Sequence, residues 1–159
     1  MAVNRFLMRR FPGAVADGAA AVVVMSREKA EALGCPVMAS IGAQASYGIE
    51  MKYVLVAPIW AIPKCLAKQG ITAADVDLFE INEAFAAVLG GAFHDLPELD
   101  RDRTNQWGSG ISLGHPVGCT GARQVVDMIH QLHRRGGSTG VTSRCVGGGM
   151  GAAAIFRRI

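Results

Sequence analysis

The sequence predicts a layered α/β domain. Apolar runs of strand length alternate along the 159 residues with segments of helical periodicity, which is typical of this class. Half of the residues are apolar, so the chain is able to bury a substantial core. Two short strands are expected at 140–144 and 151–156, on either side of a glycine turn near the end of the chain, and they predict an antiparallel edge of the sheet.

Two strands are predicted in the first third of the chain. Residues 18–25 are a β-branched run bounded by turn residues, which is typical of a buried strand. Residues 36–42 predict a second strand. Residues 44–51 show little pattern, and we expect a surface segment there.

The helices are predicted from capping residues and periodicity. Ser26 is a suitable N-cap for a short helix that Gly34 closes. A second helix begins near Pro58 and stops at Gly70. Residues 118–135 form the clearest amphipathic helix, with the large apolar side chains on one face.

The segment 83–89, with the sequence EAFAAVL, follows a strand predicted at 75–81. A helix that is apolar all round is usually buried on all sides. We therefore expect this helix to lie between two layers of the fold. A polar loop at 93–106 follows it.

The charge pattern argues against a nucleic-acid-binding protein. Sixteen basic and thirteen acidic residues give a net charge of +3, and the basic residues form only short runs. A nucleic-acid site needs a basic stripe with aromatic partners. No apolar run approaches the ~20 residues of a membrane span, so no membrane partner is predicted either.

The cysteine pattern predicts reduced thiols in a cytoplasmic protein, because no Cys-x-x-Cys pair or zinc spacing is present. The four cysteines stand far apart, at Cys35, Cys65, Cys119 and Cys145. Residues 1–16 form a basic lead-in that lacks the serines of a transit peptide. The domain itself is predicted to span 17–159.

Three polar side chains stand where a regular element meets a turn. His115 lies between Gly114 and Pro116, and three glycines follow Cys145. Backbone N–H groups in such loops are able to stabilise a developing negative charge. Asn82 ends a strand and opens the buried helix. Each residue alone also has a structural explanation, as a loop histidine, a small apolar thiol or a helix N-cap.

Two other kinds of site have weaker support. His130 and His133 lie three residues apart on one helix without an acidic or thiol partner at ligand spacing, so no metal is predicted. The glycines at 114, 118 and 121 lead into a helix that could assist phosphate binding. Neither a Walker A motif nor a Rossmann glycine pattern is present, and no bound cofactor is predicted.

Three motifs together resemble the C-terminal half of thiolases, the family of acetyl-CoA acetyltransferases and 3-ketoacyl-CoA thiolases. They are NEAFA at 82–86, GHPVGCTGAR at 114–123 and CVGGGMG at 145–151, in the order and spacing of that family. The likeness begins near Asp17 and covers nearly all of the chain. It implies a layered thiolase-like half with a mixed β-sheet and helices on both faces, and it implies coenzyme A thioesters as substrates.

The resemblance also implies a role for each motif residue. His115 would activate a nucleophilic cysteine and help to form an oxyanion hole for the incoming thioester, which Asn82 would complete through a water. Cys145 would be the acid/base cysteine that moves a proton to and from the α-carbon or the leaving thiolate. The backbone N–H of Gly147 would bind the oxyanion of the acyl-enzyme.

The same resemblance implies contacts with the substrate. Ala84 and Phe85 would lie against the pantetheine arm of coenzyme A. Where many thiolases have Asn-Gly-Gly before the histidine motif, this chain has Trp107-Gly108-Ser109. The departure falls at the acyl pocket and leaves the acyl chain length open.

In thiolases, which this chain resembles, the nucleophilic cysteine lies in an N-terminal half. Cys35, Cys65 and Cys119 lack the sequence context of that nucleophile. We therefore predict the catalytic C-terminal half of a thiolase, inactive alone, which is completed by an N-terminal half or a partner subunit and belongs to a homo-oligomer. The alternative from another class is a non-catalytic thiolase-like subunit for assembly or acyl-CoA binding.

Overall fold

The structure, a computed structural model, describes residues 16–159. The predicted basic lead-in, 1–16, lies outside the described residues except for its last position. Four helices of the described chain are α1 (Arg27–Ala32), α2 (Ala57–Gln69), α3 (Ala86–Asp95) and α4 (Thr120–Arg135). Its four strands are β1 (Ala39–Gly48), β2 (Leu78–Ile81), β3 (Thr139–Gly147) and β4 (Met150–Arg158).

The four strands form one mixed sheet in the order β1-β4-β3-β2. β2 runs parallel to β3, whereas β4 is antiparallel to both β3 and β1. The predicted antiparallel pair at the end of the chain is therefore confirmed. It lies inside the sheet, however, because β1 pairs with the outer side of β4 and forms the edge.

One face of the sheet is covered by α2, which begins at a proline turn and ends at Gly70 in the left-handed conformation. Ile59 and Ile62 of this helix are fully buried and belong to one cluster with Val141 and Ile155 of the strands. This cluster is the main hydrophobic core.

The opposite face is covered by α4. Met128 and Leu132 of this helix pack against Leu78 of β2 and Phe156 of β4 in a second, smaller cluster. Side chains alternate between the two faces along a strand, so β2 and β4 contribute to both clusters. The predicted layered fold, a mixed sheet with helices on both faces, is confirmed.

The strand predicted at 18–25 is wrong. Residues 16–26 have no regular secondary structure, and the side chains of Val23 and Val24 are 84% and 67% exposed. The chain next to Gly18 lies against Pro116 and Cys119. β-Branched residues favour an extended chain, but a strand also needs a neighbour for its backbone hydrogen bonds.

The surface segment predicted at 44–51 is also wrong in its first half. β1 starts later than predicted, at Ala39, and continues to Gly48. Its second half pairs with β4 after an irregularity between Ile41 and Gln44. The bulge interrupts the period-two pattern on which the prediction depended.

The helix predicted at 83–89 begins later and is less buried than expected. α3 starts at Ala86, because Phe85 before it is still extended. Only Val88, Gly91 and Ala92 of this helix are buried. Within residues 16–159, no helix is both long and apolar enough to cross a membrane.

Candidate active site

The candidate site lies where β2 and β3 end. Because these strands are parallel, their carboxyl ends meet at one edge of the sheet. Asn82 directly follows β2, and its backbone N–H donates to the carbonyl of Ser143 at 2.8 Å. Cys145 lies two residues further along β3. Two of the predicted site residues therefore reach the same edge.

A contact with His115 brings in the third predicted residue. Asn82 is 2% exposed, and its Nδ2 lies 3.4 Å from Nε2 of His115. The histidine loop precedes α4, and Gly114 has a φ of 88°, a conformation that favours glycine. The loop and the strand end thus place an amide and an imidazole side by side.

The other nitrogen of the ring contacts a residue that sequence reasoning missed. Nδ1 of His115 lies 2.7 Å from Oγ1 of Thr120, the first residue of α4. Thr120 is 1% exposed. No local pattern in the sequence singles out Thr120, because its contact with the ring depends on how the histidine loop meets α4.

Burial lowers the pKa of His115, and the positive charge of Arg123 lowers it further. Burial raises the pKa of the Cys145 thiol. Both side chains are therefore uncharged at neutral pH. A neutral imidazole is a proton acceptor and a neutral thiol is a proton donor, which are the states that acid–base chemistry requires.

The turn after Cys145 has an unusual backbone. Gly147, Gly148 and Gly149 all have positive φ values, of 94°, 59° and 78°. The register between β3 and β4 shifts between Cys145 and Gly147, so a bulge lies beside the cysteine. The chain at Gly149 also packs closely against the backbone of Ile49. These glycines fix the shape of the turn in which the predicted oxyanion donor, Gly147, is found.

The two predicted substrate contacts lie in the link between β2 and α3. Ala84 is buried, and Phe85 is half-buried against the main core. Both therefore contribute to packing in this chain. Their contact with pantetheine stays a prediction.

A second residue that the sequence did not single out organises the loop before His115. The carboxylate of Glu83 accepts hydrogen bonds from Nδ2 of Asn105 at 3.1 Å and from the N–H of Ile111 at 3.2 Å. Gly110 packs closely against the backbone of Glu83 and the side chain of Asn82. Glu83 thus holds this loop beside the candidate site.

The family model described as "Thiolase, C-terminal domain" matches residues 35–158. The chain therefore belongs to the thiolase family. The peroxisomal 3-ketoacyl-CoA thiolase of Homo sapiens is 46% identical over 143 residues, which are 89% of this chain and 34% of that protein. The 3-ketoacyl-CoA thiolase of Bacillus subtilis is 42% identical over 140 residues, which are 88% of this chain and 36% of that protein.

The thiolase fold is supported independently by a solved structure. The Bacillus anthracis acetyl-CoA acetyltransferase superposes with a TM-score of 0.81 at 45% sequence identity. The match covers 85% of this chain and 34% of that chain. This thiolase C-terminal domain thus spans about a third of the length of the relatives it matches.

Proposed function

We propose that this chain supplies the acid–base half of a thiolase active site. The observation that carries the proposal is the contact between Asn82 and His115 at the edge of the sheet where Cys145 also lies. The imidazole accepts the proton of a nucleophilic thiol, and the amide and the protonated ring then face the thioester oxygen of a coenzyme A substrate. Gly147 offers its backbone N–H to the acyl-enzyme oxyanion.

Cys145 is proposed to carry the second proton. A thiol whose pKa burial raises becomes a strong base once it is ionised, and removal of a proton next to a thioester requires such a base. The reaction class is acyl transfer with Claisen condensation or thiolysis between an acyl-CoA and acetyl-CoA. Ala84 and Phe85 lie against the pantetheine arm.

The nucleophilic cysteine is proposed to come from a thiolase N-terminal half, so that the 159 residues alone have no thiolase activity. Two surfaces are suited to such a partner. One is the exposed apolar run at 22–24. The other is an open groove beside α4, lined by small and polar side chains: Gln44, Ser46, Arg144, Ala152 and Ala154.

The completed enzyme is proposed to be a cytoplasmic homo-oligomer. Four free cysteines agree with a reducing compartment. Sedimentation of the completed enzyme tests the assembly, and fractionation of cells tests the location, since the human relative is named as peroxisomal.

The activity test is thiolysis of a 3-ketoacyl-CoA after a thiolase N-terminal half is joined to this chain. We expect His115→Ala and Cys145→Ala each to lower kcat at least ~100-fold, as the loss of an acid–base group does. His130→Ala and Cys35→Ala are the matched controls, because both residues are exposed and lie away from the site. Equal activity of His115→Ala and His130→Ala would contradict the proposal.

Calorimetry with coenzyme A distinguishes the proposed function from the alternative, a non-catalytic binding subunit. A binding subunit binds coenzyme A tightly without any partner, whereas half of a composite site binds it weakly. Tight binding by the isolated chain, together with no thiolysis after completion, would favour the non-catalytic subunit.

A further inference from the structure

Each ring nitrogen of His115 has a polar partner, and the two contacts require the same tautomer of the ring. The hydroxyl of Thr120 donates to the carbonyl of Pro116 at 3.1 Å. Its oxygen is then an acceptor for the hydrogen on Nδ1, which lies 2.7 Å away. On the other side of the ring, Nδ2 of Asn82 carries only donor hydrogens and faces Nε2. With the amide in this orientation, Nε2 accepts.

We propose that Thr120 is a positioning residue that fixes the tautomer of His115, with the hydrogen on Nδ1 and the lone pair on Nε2. The inference rests on the proposed function, in which His115 accepts the proton of a thiol. In that step the S–H bond breaks, its electron pair stays on sulfur, and a new N–H bond forms at Nε2. The hydrogen on Nδ1 stays on the ring and keeps its hydrogen bond to Thr120 throughout, so the imidazolium keeps a hydrogen-bond acceptor.

The opposite tautomer would be unable to perform this step. It places a hydrogen on Nε2, where Asn82 already presents donors, and leaves the lone pair on Nδ1, which faces the helix. The hydroxyl of Thr120 is also well suited to its task, because its own bond to Pro116 fixes the rotamer. Thr120 reaches no substrate in this scheme and acts only through the ring.

Nitrogen-15 NMR of the imidazole side chains tests the tautomer on the chain as it exists, without any enzyme activity. The chain has four histidines, and the signal of His115 is assigned from its loss in His115→Gln. Above the pKa of the ring, we expect the wild-type protein to show the hydrogen on Nδ1. A wild-type ring with its hydrogen on Nε2 would overturn the proposal.

Two variants extend this test. Thr120→Val keeps the volume of the side chain but removes the hydroxyl, and the population ratio of Nδ1–H to Nε2–H should fall up to about tenfold, the value of one hydrogen bond. Thr120→Ser restores the hydroxyl and should restore the ratio, while His130 and His133 should not change. An unchanged ratio in a folded Thr120→Val would contradict the proposal. If the valine variant does not fold, the wild-type and serine spectra still decide.

Kinetics of the completed enzyme give a second readout. Thr120→Val should lower kcat about 10- to 100-fold with KM nearly unchanged, as the loss of a partner that orients a functional histidine does. Thr120→Ser should recover most of the rate. Wild-type activity of the valine variant would overturn the inference. If the completed wild-type enzyme shows no thiolysis, the proposed function fails, whereas the NMR result stands by itself.

Discussion

The two faces of the sheet have different interiors. Under α2 the buried side chains are mainly apolar, such as Ile59 and Ile155, and the buried hydroxyl of Ser143 donates to the carbonyl of Pro58. Under α4 the smaller apolar cluster is accompanied by Glu80, Gln124 and Gln131, which are all buried. The amide of Gln131 donates to the carboxylate of Glu80 at 2.8 Å. One face is a dry core, and the other is a polar layer.

The polar layer is incompletely bonded. Within residues 16–159, five buried side chains have an oxygen without a hydrogen-bond partner. Four of them lie in this layer, Glu80, Gln124, Gln131 and Thr142, and the fifth is Asn82 at the candidate site. Buried polar groups without partners cost about 1–3 kcal/mol each, so this face contributes less to stability than its burial suggests. Its hydrogen bonds instead join the two strands, β2 and β3, that end at the candidate site. The amide of Gln124 donates to the carbonyls of both Glu80 and Ser143, one strand each.

The largest effect should come from the dry face. Ile155→Ala removes a fully buried side chain from the main core and should lower the free energy of unfolding by about 3–4 kcal/mol. Ile41→Ala is the matched control on β1, where the side chain is 48% exposed, and it should cost below about 1 kcal/mol. Urea denaturation followed by circular dichroism measures both. Similar losses would mean that α2 does not cover the principal core.

The polar face should respond to pH. Burial raises the pKa of Glu80 to about 7, against 4.5 for the free side chain. A carboxyl with a raised pKa stabilises the folded state fully below pH 4.5, and this contribution is lost as the pH rises through 7. Between pH 5 and 8 the free energy of unfolding should fall by roughly 1–3 kcal/mol on this account.

Glu80→Gln is the variant that isolates this contribution. Glutamine keeps an acceptor for Gln131 but does not titrate, so the difference in unfolding free energy between the variant and the wild type should depend on pH. His115 contributes with the opposite sign, because its pKa is lowered, and the subtraction removes its effect. Parallel curves for the two proteins would show that Glu80 stays ionised in the folded state.

The smallest effect is expected at the amino ends of β2 and β3, at the opposite end of these strands from the candidate site. Asp77 accepts hydrogen bonds from the N–H groups of Ser138 at 2.7 Å and Thr139 at 2.9 Å. Partial burial opposes these bonds, but they outweigh it and hold the pKa of Asp77 low. Asp77→Asn should therefore cost about 1 kcal/mol at pH 7.

The cost of Asp77→Asn should disappear as the pH falls below 4, because a lowered pKa stabilises only the ionised state. Glu98→Gln, at an exposed carboxylate, is the control and should change little. Thermal unfolding at pH 7 and at pH 3 checks both variants. A cost that is the same at the two pH values would point to lost packing instead of lost charge.

The layered fold could be predicted because its helices carry clear local signals, such as Ser26 at the start of α1 and Gly70 at the end of α2. The edge strand was misjudged because the bulge after Ile41 breaks the alternation. The run at 18–25 has strand propensity, but pairing depends on a neighbouring strand that local sequence does not specify.

The candidate site was predictable where a motif ends a strand or opens a glycine turn, as for Asn82, His115 and Cys145. Sequence spacing indicated neither the hydrogen bond between Thr120 and the ring of His115 nor the hydrogen bonds by which Glu83 holds the loop before His115. Both depend on how α4 and the preceding loop approach β2. Such contacts between distant segments follow from the tertiary fold and leave little local pattern.

Gly151 connects the dry core to the strand that carries the thiol. It pairs with Cys145 across the hairpin, and its α-carbon lies close against the backbone of Ala57 and Pro58 at the start of α2. A side chain at this position would push the helix away from the sheet and shift the strand that carries the thiol. Tolerance to substitution should therefore be very low there, because a single change would disturb both the main core and the position of the thiol.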